Sequence, residues 1–316
     1  MKPQRLVIAG GSGFLGQALA KHFQALAWEV VVLTRTPHAN RAAREVRWDA
    51  ESLDEWTREL EGAAAMVNLT GRTVDCRYNE ANRRAIMDSR VNSTRVIGQA
   101  IAQCTLPPRV WLNASSATIY RHTLAQAWDE SGMDFEPTAE VKDAFSVEVI
   151  VAWEKALNEA VTPGTRKVAL RTTMVLGLAR NSVFPVLRRL ARFGLGGRMG
   201  SGEQFVSWLH ETDFLRAVEF LIAHEEMSGA VNFAAPNPVP NHERMRAFRE
   251  LVGMPIGMPA TRWMLEVGAF FLRTETELIL KSRRVVPGRL LNAGFKFRFP
   301  ELRGALADLQ GRAGGS

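Results

Sequence analysis

Cysteine is scarce in this chain, since Cys76 and Cys104 are the only two among 316 residues. A disulfide-stapled fold needs several pairs, and a thiolate metal site needs a cluster of sulfur ligands. Two separated cysteines exclude both, and no set of His, Cys and carboxylate residues has metal-ligand spacing, so no metal is predicted. This cysteine usage is typical of a reducing compartment, and we expect a cytoplasmic protein.

The chain also lacks a hydrophobic run of bilayer length. A membrane-spanning helix needs about 20 predominantly apolar residues in succession. The first strand-like segment begins within a few residues of Met1, which leaves no room for a secretory leader. We therefore expect a soluble protein that does not bind a membrane.

A strong excess of one charge sign is absent as well, because the net charge is only +7. Several arginines are interleaved with apolar residues at helix-like spacing: Arg188, Arg189, Arg192, Arg283 and Arg284. The pattern favours solvated helix faces, with an anionic ligand as the second interpretation. Nucleic-acid binding is not predicted.

A glycine-rich turn is the most informative feature present. Residues 10–16 read Gly-Gly-Ser-Gly-Phe-Leu-Gly, directly after the apolar run 6–9 and before a helix-forming segment. Glycines on a strand-to-helix turn allow backbone amides to face a pyrophosphate. Gly10 would permit the tight turn, Gly13 the approach of the phosphates and Gly16 close helix packing, with Phe14 and Leu15 opening the helix.

The residues after the second strand candidate indicate which dinucleotide binds. NAD-specific folds usually place a carboxylate there for the ribose hydroxyls, whereas this chain has Thr34 and Arg35. Arginine can pair with a 2′-phosphate that a carboxylate would repel. NADP(H) is therefore predicted over NAD, although Arg35 could be only a solvated charge; Asp49, after the third strand candidate, completes this part of the cofactor set.

Strand-like and helix-like segments alternate along the first half of the chain. The strand candidates are 6–9, 30–33, 46–48, 66–69, 110–114 and 168–171, and 79–103 is the longest helix candidate. With 46% hydrophobic residues, this alternation predicts an α/β fold, a Rossmann-type doubly wound parallel sheet. We expect the nucleotide-binding domain in 1–178 with 206–235 returning to it, a smaller, mostly helical substrate lobe in 179–205 and 236–310, and a flexible tail in 311–316. The proline-bearing stretch 229–241 is a candidate crossing between the two.

Further motifs resemble the extended short-chain dehydrogenase/reductase family, which contains nucleotide-sugar epimerases and dehydratases. The motifs are Asn-Leu-Thr-Gly at 68–71, Val-Asn-Ser-Thr at 91–94, Ala-Ser-Ser-Ala-Thr-Ile-Tyr at 114–120 and the segment 202–213. Segments 89–91, 153–154, 207–210 and 284–295 narrow the resemblance to a subgroup called epimerase family proteins, which has its own C-terminal domain. The resemblance implies cofactor contacts at Leu69, Thr70, Gly71, Asn92 and Ser115, and a substrate-orienting hydroxyl at Ser116.

The chain departs from that family at its catalytic pair. The family uses Tyr-x-x-x-Lys, in which the lysine depresses the phenol pKa. Only Tyr78 and Tyr120 are present, and neither is followed by a lysine four residues later. Aligning Glu154 with the family's acidic residue places Ser146 and Ile150 at the tyrosine and lysine positions, so the usual mechanism is not available.

The remaining candidates for chemistry are Ser116, Tyr120 and His122, all near the end of one strand candidate. His122 titrates nearest neutrality, although a loop histidine is commonly just exposed, and Ser115 and Ser116 could simply cap the strand. Two interpretations stay open. The protein is either an NADP(H)-dependent oxidoreductase or epimerase-like enzyme, whose small substrate is not identified and for which an anion is one option, or a non-catalytic NADP(H) sensor or scaffold. The resemblance is compatible with a monomer or a homodimer.

Overall fold

The computed structural model describes residues 3–38, 43–180, 182–266 and 275–314. Its centre is a seven-stranded sheet in the order β10-β6-β5-β4-β1-β2-β3, and every neighbouring pair is parallel. The strands are β1 (Arg5–Ala9), β2 (Glu29–Thr34), β3 (Arg44–Arg47), β4 (Ala65–Asn68), β5 (Val110–Ser116), β6 (Arg166–Thr172) and β10 (Gly229–Phe233). The doubly wound α/β fold and all six strand candidates are confirmed.

Helices cover both faces of this sheet, which is why its strands are apolar on both sides. On one face, Phe23 of α1 (Phe14–Ala25) and Phe214 of α5 (Glu211–Ala223) belong to one core cluster. On the other, Ile97 of α2 (Glu80–Ala102) and Leu157 of α3 (Ala144–Glu159) pack with Trp111. The structure confirms the long helix that the sequence predicts, with the Asn79 side chain capping its first turn.

The segment 229–241 does not begin as the crossing that the sequence suggested. Residues Gly229–Phe233 form the edge strand β10, which runs parallel to β6. This strand is short, begins with a glycine and carries a polar residue, Asn232, at its buried centre. Such a strand gives no apolar run of the kind that marked the other six.

A second group of elements lies beyond the sheet. Its helices are α4 (Val183–Arg192), α6 (Asn241–Leu251), α7 (Glu277–Leu280), α8 (Gly288–Asn292) and α9 (Leu302–Gly314). Two small sheets pair β7 (Met174–Leu176) with β9 (Trp208–His210), and β8 (Phe205–Val206) with β11 (Val239–Pro240). Phe184, Phe248 and Leu306 form the core among α4, α6 and α9. The domain boundaries derived from the sequence stay a prediction.

The expected flexible tail is wrong for residues 311–314, because α9 continues through Gly314. Its last turn is fixed by Arg312, whose guanidinium lies 2.6 Å from Glu211 Oε1 and 3.4 Å from Asp308 Oδ2. Among the residues that the structure describes, no helix is long and apolar enough to cross a membrane.

Candidate functional site

The glycine turn between β1 and α1 has the geometry that a dinucleotide needs. Gly10 has φ +75°, and a Cβ there would lie 2.8 Å from the Leu69 carbonyl. A Cβ on Gly16 would lie 2.4 Å from Gly11 Cα, so only glycine allows this close approach of helix to turn. Gly13 faces open space, since a Cβ there would meet only Gly10 O, at 3.6 Å. The first turn of α1 carries no acidic residue, and its N-terminus is suited to an anion.

A cavity of about 710 Å³ lies in front of this turn, at the carboxyl ends of β1, β2 and β4. A volume of this size is within the range of cofactor sites. Eight of the predicted cofactor residues line it: Gly10, Gly13, Thr34, Arg35, Asp49, Leu69, Thr70 and Gly71. The structure therefore brings together residues from four separate segments of the sequence.

The other predicted cofactor residues do not line this cavity. Phe14 contacts Gly177, Leu15 packs against the sheet core and Gly16 is buried in the turn. Asn92 is half-buried on α2, one turn beyond Asp88 and Ser89, which do line the cavity. These residues therefore lie outside the lining of the cavity.

Ser115 requires a correction. Its Oγ donates a hydrogen bond of 2.6 Å to Glu154 Oε1, and the residue is buried on the face of β5 opposite to Ser116. Successive side chains of a strand point to opposite faces, so only one of this serine pair can face the cavities. Ser115 belongs to a buried network and does not offer its hydroxyl to a cofactor.

The charged residues that line the large cavity are Arg35, Arg72, Asp49, Glu51 and Asp88. Arg35 is exposed at the end of β2, and Arg72, which sequence reasoning missed, also lines the cavity. Arg72 Nη2 donates to Asn82 Oδ1 at 3.0 Å, which fixes its direction. Hydrogen bonds from Ser52 and Glu51 lower the Asp49 pKa to about 2. The Asp49 carboxylate thus accepts hydrogen bonds from the residues of its own turn. Arg35 and Arg72 are the groups suited to a phosphate.

A smaller cavity of about 120 Å³ adjoins the large one. Thr73 and Ser89 line the large cavity, and the next residues along the chain, Val74 and Arg90, line the smaller one. The polar groups that line the smaller cavity are Tyr78, Arg90, Ser116, Thr118 and Ser146. Ser116 is therefore the one predicted catalytic residue that the structure brings beside the dinucleotide cavity.

Tyr120 lines neither of the two adjoining cavities, and its catalytic role stays a prediction. Its hydroxyl donates to Asn232 Oδ1 and accepts from Arg171 Nη1, both at 2.9 Å, and the residue is 2% exposed. Burial raises its pKa. The phenol is held in a hydrogen-bonded network within the core, in which Arg171 also pairs with Glu154.

His122 also lies outside the two adjoining cavities. Its Nδ1 accepts a hydrogen bond of 2.9 Å from Ser282 N, and it lines a separate cavity with Glu140 and Leu280. Burial lowers its pKa, so the ring is neutral near pH 7 and serves as a fixed acceptor. The catalytic role of His122 stays a prediction, for a residue placed away from the two adjoining cavities.

A buried group of charges lies behind Thr118. Lys281 Nζ is 2.6 Å from Asp143 Oδ2 and donates to Thr118 O, and both members of the ion pair are fully buried. Arg283 Nε donates to Thr118 Oγ1 at 3.0 Å. The expectation of a solvated helix face is wrong for Arg283, because burial lowers its pKa and the residue lies on no helix.

Arg244 is the most unusual of these cations. It is 5% exposed, its Nε has no hydrogen-bond partner among the described residues, and its Nη1 contacts only Met174 Sδ, at 3.8 Å. Burial and the neighbouring Arg283 lower its pKa to about 10. The described residues give it no ion pair, and the stretches outside the described ranges contain no Asp or Glu. No sequence pattern marked this residue, because its surroundings come from several elements.

Within the described ranges, no group of three or more His, Cys, Asp or Glu residues is arranged to hold a metal ion.

Comparisons with known proteins agree with this geometry. Residues 6–234 match the NAD dependent epimerase/dehydratase family, and residues 260–309 match DUF1731, a domain of unknown function. The epimerase family protein SDR39U1 of Bos taurus is 32% identical over 313 residues, which cover 96% of this chain and 99% of that protein. The epimerase family protein Mb2239 of Mycobacterium bovis is 33% identical over 310 residues, 98% of each chain.

Among solved structures, human epimerase family protein SDR39U1, crystallised with NADPH, superposes with a TM-score of 0.84 at 27% identity. The match covers 98% of this chain and 99% of the human one. The resemblance that the sequence motifs carried is thereby confirmed over nearly the whole length.

Proposed function

The chain belongs to the NAD-dependent epimerase/dehydratase family, and on that premise we propose that it is an NADP(H)-dependent oxidoreductase or epimerase-like enzyme. The observation that carries this proposal is the pair of adjoining cavities. A dinucleotide bound in the 710 Å³ cavity would lie next to the smaller cavity, which hydroxyl groups line. The two cavities meet at Thr73–Val74 and Ser89–Arg90. That arrangement suits a nicotinamide beside a small substrate.

The choice of NADP(H) rests on the cations of the large cavity. Arg35 and Arg72 line it, and a guanidinium pairs well with a 2′-phosphate. Gly10, Gly13 and the α1 N-terminus form a cradle that fits the pyrophosphate. The NADPH bound to human SDR39U1, a relative of 27% identity, supports the same choice.

We propose an anionic small molecule as the substrate. Arg90 lines the smaller cavity, and burial lowers its pKa to about 10. Burial also lowers the pKa of Arg283, which donates to Thr118 Oγ1, and of the neighbouring Arg244. A carboxylate or phosphate that reached Arg244 would relieve the cost of burying that guanidinium without an ion pair.

The reaction would use the bound nicotinamide as hydride donor or acceptor. Ser116, whose Oγ accepts a hydrogen bond from Thr118 N at 3.2 Å, is placed to donate its proton to a substrate oxygen. The buried arginines would hold the anionic end and fix the distance of the reacting carbon. We also propose a cytoplasmic location, from the cysteine usage, and action as a monomer or homodimer.

A second candidate function is a non-catalytic NADP(H) sensor. The observation that favours it is the absence of the Tyr-x-x-x-Lys pair, since α3 carries Ser146 and Ile150 at the corresponding positions. Neither side chain can supply a proton near neutral pH as a positioned tyrosine does.

Consumption of NADPH separates the two functions. We would incubate the protein with NADPH and matched carbonyl pairs, pyruvate against its methyl ester and dihydroxyacetone phosphate against dihydroxyacetone, and follow loss of nicotinamide absorbance. Turnover of the anionic member of a pair supports the enzyme and its substrate class. Tight binding of NADPH with no consumption across such a panel would refute the enzyme and leave the sensor.

A further inference from the structure

We propose that Tyr78 supplies the proton for hydride transfer in the smaller cavity, and that Ser146 and Glu277 form a relay that returns it. The inference rests on the proposed function, because a proton donor is needed only if a carbonyl is reduced there. Tyr78 comes from the loop before α2, Ser146 from α3 and Glu277 from α7, so three separated segments build this group.

Tyr78 lines the smaller cavity, and two contacts hold it there. Its backbone N donates a hydrogen bond of 2.9 Å to Glu275 Oε1, and its ring packs edge-on against Phe145, with centroids 4.9 Å apart. The hydroxyl oxygen is buried and makes no hydrogen bond of good geometry with a described residue. A buried phenol left without a partner costs free energy, so a partner supplied by a ligand would be favoured.

Ser146 and Glu277 stand behind this phenol. Ser146 lines the same cavity, and its Oγ donates a hydrogen bond of 2.9 Å to Glu277 Oε2. Glu277 is 3% exposed, and its second carboxyl oxygen has no partner in the described part of the chain. Burial raises the Glu277 pKa, which favours the protonated acid that a relay requires.

Burial and Glu277 keep Tyr78 protonated at rest, and two guanidinium groups would stabilise its phenolate. Burial and the Glu277 carboxylate raise its pKa to about 12, with smaller contributions from Cys76 and Glu275, so the group is a phenol and not a base at neutral pH. Arg90 of α2 and Arg283, beyond α7, both interact with the Tyr78 charge. A phenolate formed by proton loss would lie near two guanidinium groups, as the family's tyrosinate lies near its lysine.

A dihydronicotinamide, when bound, would supply hydride to the carbonyl carbon and be oxidised to the nicotinamide cation. The carbonyl π bond breaks, and its oxygen forms a new O–H bond with the proton of Tyr78. The Tyr78 oxygen would regain its proton from Ser146, whose O–H turns from Glu277 to Tyr78 as it takes the proton of a protonated Glu277 carboxyl. The Glu277 carboxylate left behind would take a proton from hydronium between turnovers. Tyr78 is the catalytic residue in this scheme, and the other two are positioning and relay residues.

The chain offers an unusually clean test, because it has only two tyrosines. We would label tyrosine with ¹³C at Cζ and follow the pH dependence of its NMR signals in the full-length protein. The signal lost in Tyr78→Phe identifies Tyr78, and the signal that remains belongs to Tyr120. Far-UV circular dichroism at each pH confirms that the protein is folded.

The relay predicts opposite shifts from two variants. Glu277→Gln removes a charge that raises the Tyr78 pKa and should lower it, whereas Ser146→Ala removes a hydrogen bond that lowers it and should raise it. Glu275→Gln is the matched control, since that carboxylate has the smaller effect and should cause the smaller shift. A Tyr78 signal that titrates identically in the parent, Glu277→Gln and Ser146→Ala overturns the relay.

A kinetic arm tests the donor itself. Tyr78→Phe should bind NADPH as the parent does, while its rate of pyruvate reduction falls about 10²- to 10⁴-fold, the usual value of a general acid. A rate within threefold of the parent overturns the assignment of Tyr78. If the parent binds or consumes no NADPH, the proposed function fails instead, and the NMR titration still decides the relay.

Discussion

Ser146 donates a hydrogen bond of 2.9 Å to Glu277, although 131 residues separate the two in the sequence. The bond joins α3, which packs on the parallel sheet, to the short helix α7 within the DUF1731 region. The C-terminal region therefore reaches Ser146, a residue that lines the smaller cavity, and contributes a buried carboxyl group beside it.

Arg35 should control the choice between the two dinucleotides. Arg35→Asp replaces the 2′-phosphate partner by a repelling charge, and a charge-assisted hydrogen bond contributes roughly 1.5–3 kcal/mol. We expect NADPH affinity to fall about 10- to 100-fold and NADH affinity to change little. Fluorescence titration with both cofactors measures this. Arg58→Asp, the same charge change outside the cavity, is the control, and an equal loss for both cofactors would refute the assignment.

Gly13 and Gly16 should separate cofactor binding from stability. A methyl group on Gly16 would meet the Gly11 backbone at 2.4 Å, so Gly16→Ala should destabilise the fold by about 1–3 kcal/mol. Gly13→Ala has room for its methyl in the fold but fills the phosphate cradle, so it should weaken NADPH binding at nearly unchanged stability. Urea unfolding and NADPH titration of both variants measure the two effects. Equal stability of the variants would contradict the packing argument.

Tyr120 should matter for the core and not for the cofactor. Tyr120→Phe leaves Asn232 and Arg171 each without one buried hydrogen bond, which costs roughly 1–3 kcal/mol. We expect a lower urea midpoint and an unchanged NADPH affinity. A variant of full stability that loses hydride transfer would support Tyr120 as a catalytic residue.

His210 should make the fold sensitive to acid. The residue is fully buried, and its Nδ1 accepts a hydrogen bond from Thr212 N at 3.1 Å, so it caps the N-terminus of α5. Burial lowers its pKa to about 4, despite Asp308 3.2 Å from Nε2. The unfolded chain, with an ordinary pKa near 6.5, then binds the proton more readily.

The stability that His210 contributes is consequently complete above about pH 6.5 and is lost as the pH falls toward about 4, by roughly 3 kcal/mol at most. His210→Asn can still cap the helix but does not titrate in this range. Urea unfolding at several pH values should show a smaller loss for this variant than for the parent. Parallel pH curves would mean that His210 does not titrate on unfolding.

Much of the fold could be predicted because local patterns carry it. The apolar runs marked six strands of the sheet, and the glycine turn with Arg35 marked one wall of the large cavity. Strand β10 could not be predicted, because Asn232 and Gly229 interrupt its apolar pattern. The Asn232 side chain hydrogen-bonds to Tyr120 and Val286, which are distant in sequence.

The smaller cavity could not be predicted, because residues that are distant in sequence form it. Tyr78 carries no sequence signal of a catalytic residue, because no lysine follows it four residues later. The Tyr-x-x-x-Lys spacing identifies only a pair that lies on one helix. Arg90 and Ser146, the neighbours of Tyr78, come from two different helices. Conversely, Ser115 and Ser116 look equivalent in the sequence, and only the pairing of β5 decides which one faces the cavity.

Titration of the purified protein with NADPH and then NADH, followed by nicotinamide fluorescence, tests the central claim most directly. Our account predicts saturable binding of both, with NADPH at least about tenfold tighter, a difference of about 1.4 kcal/mol. Binding of neither cofactor would contradict it, because the glycine turn and Arg35 would then line a cavity that holds no dinucleotide.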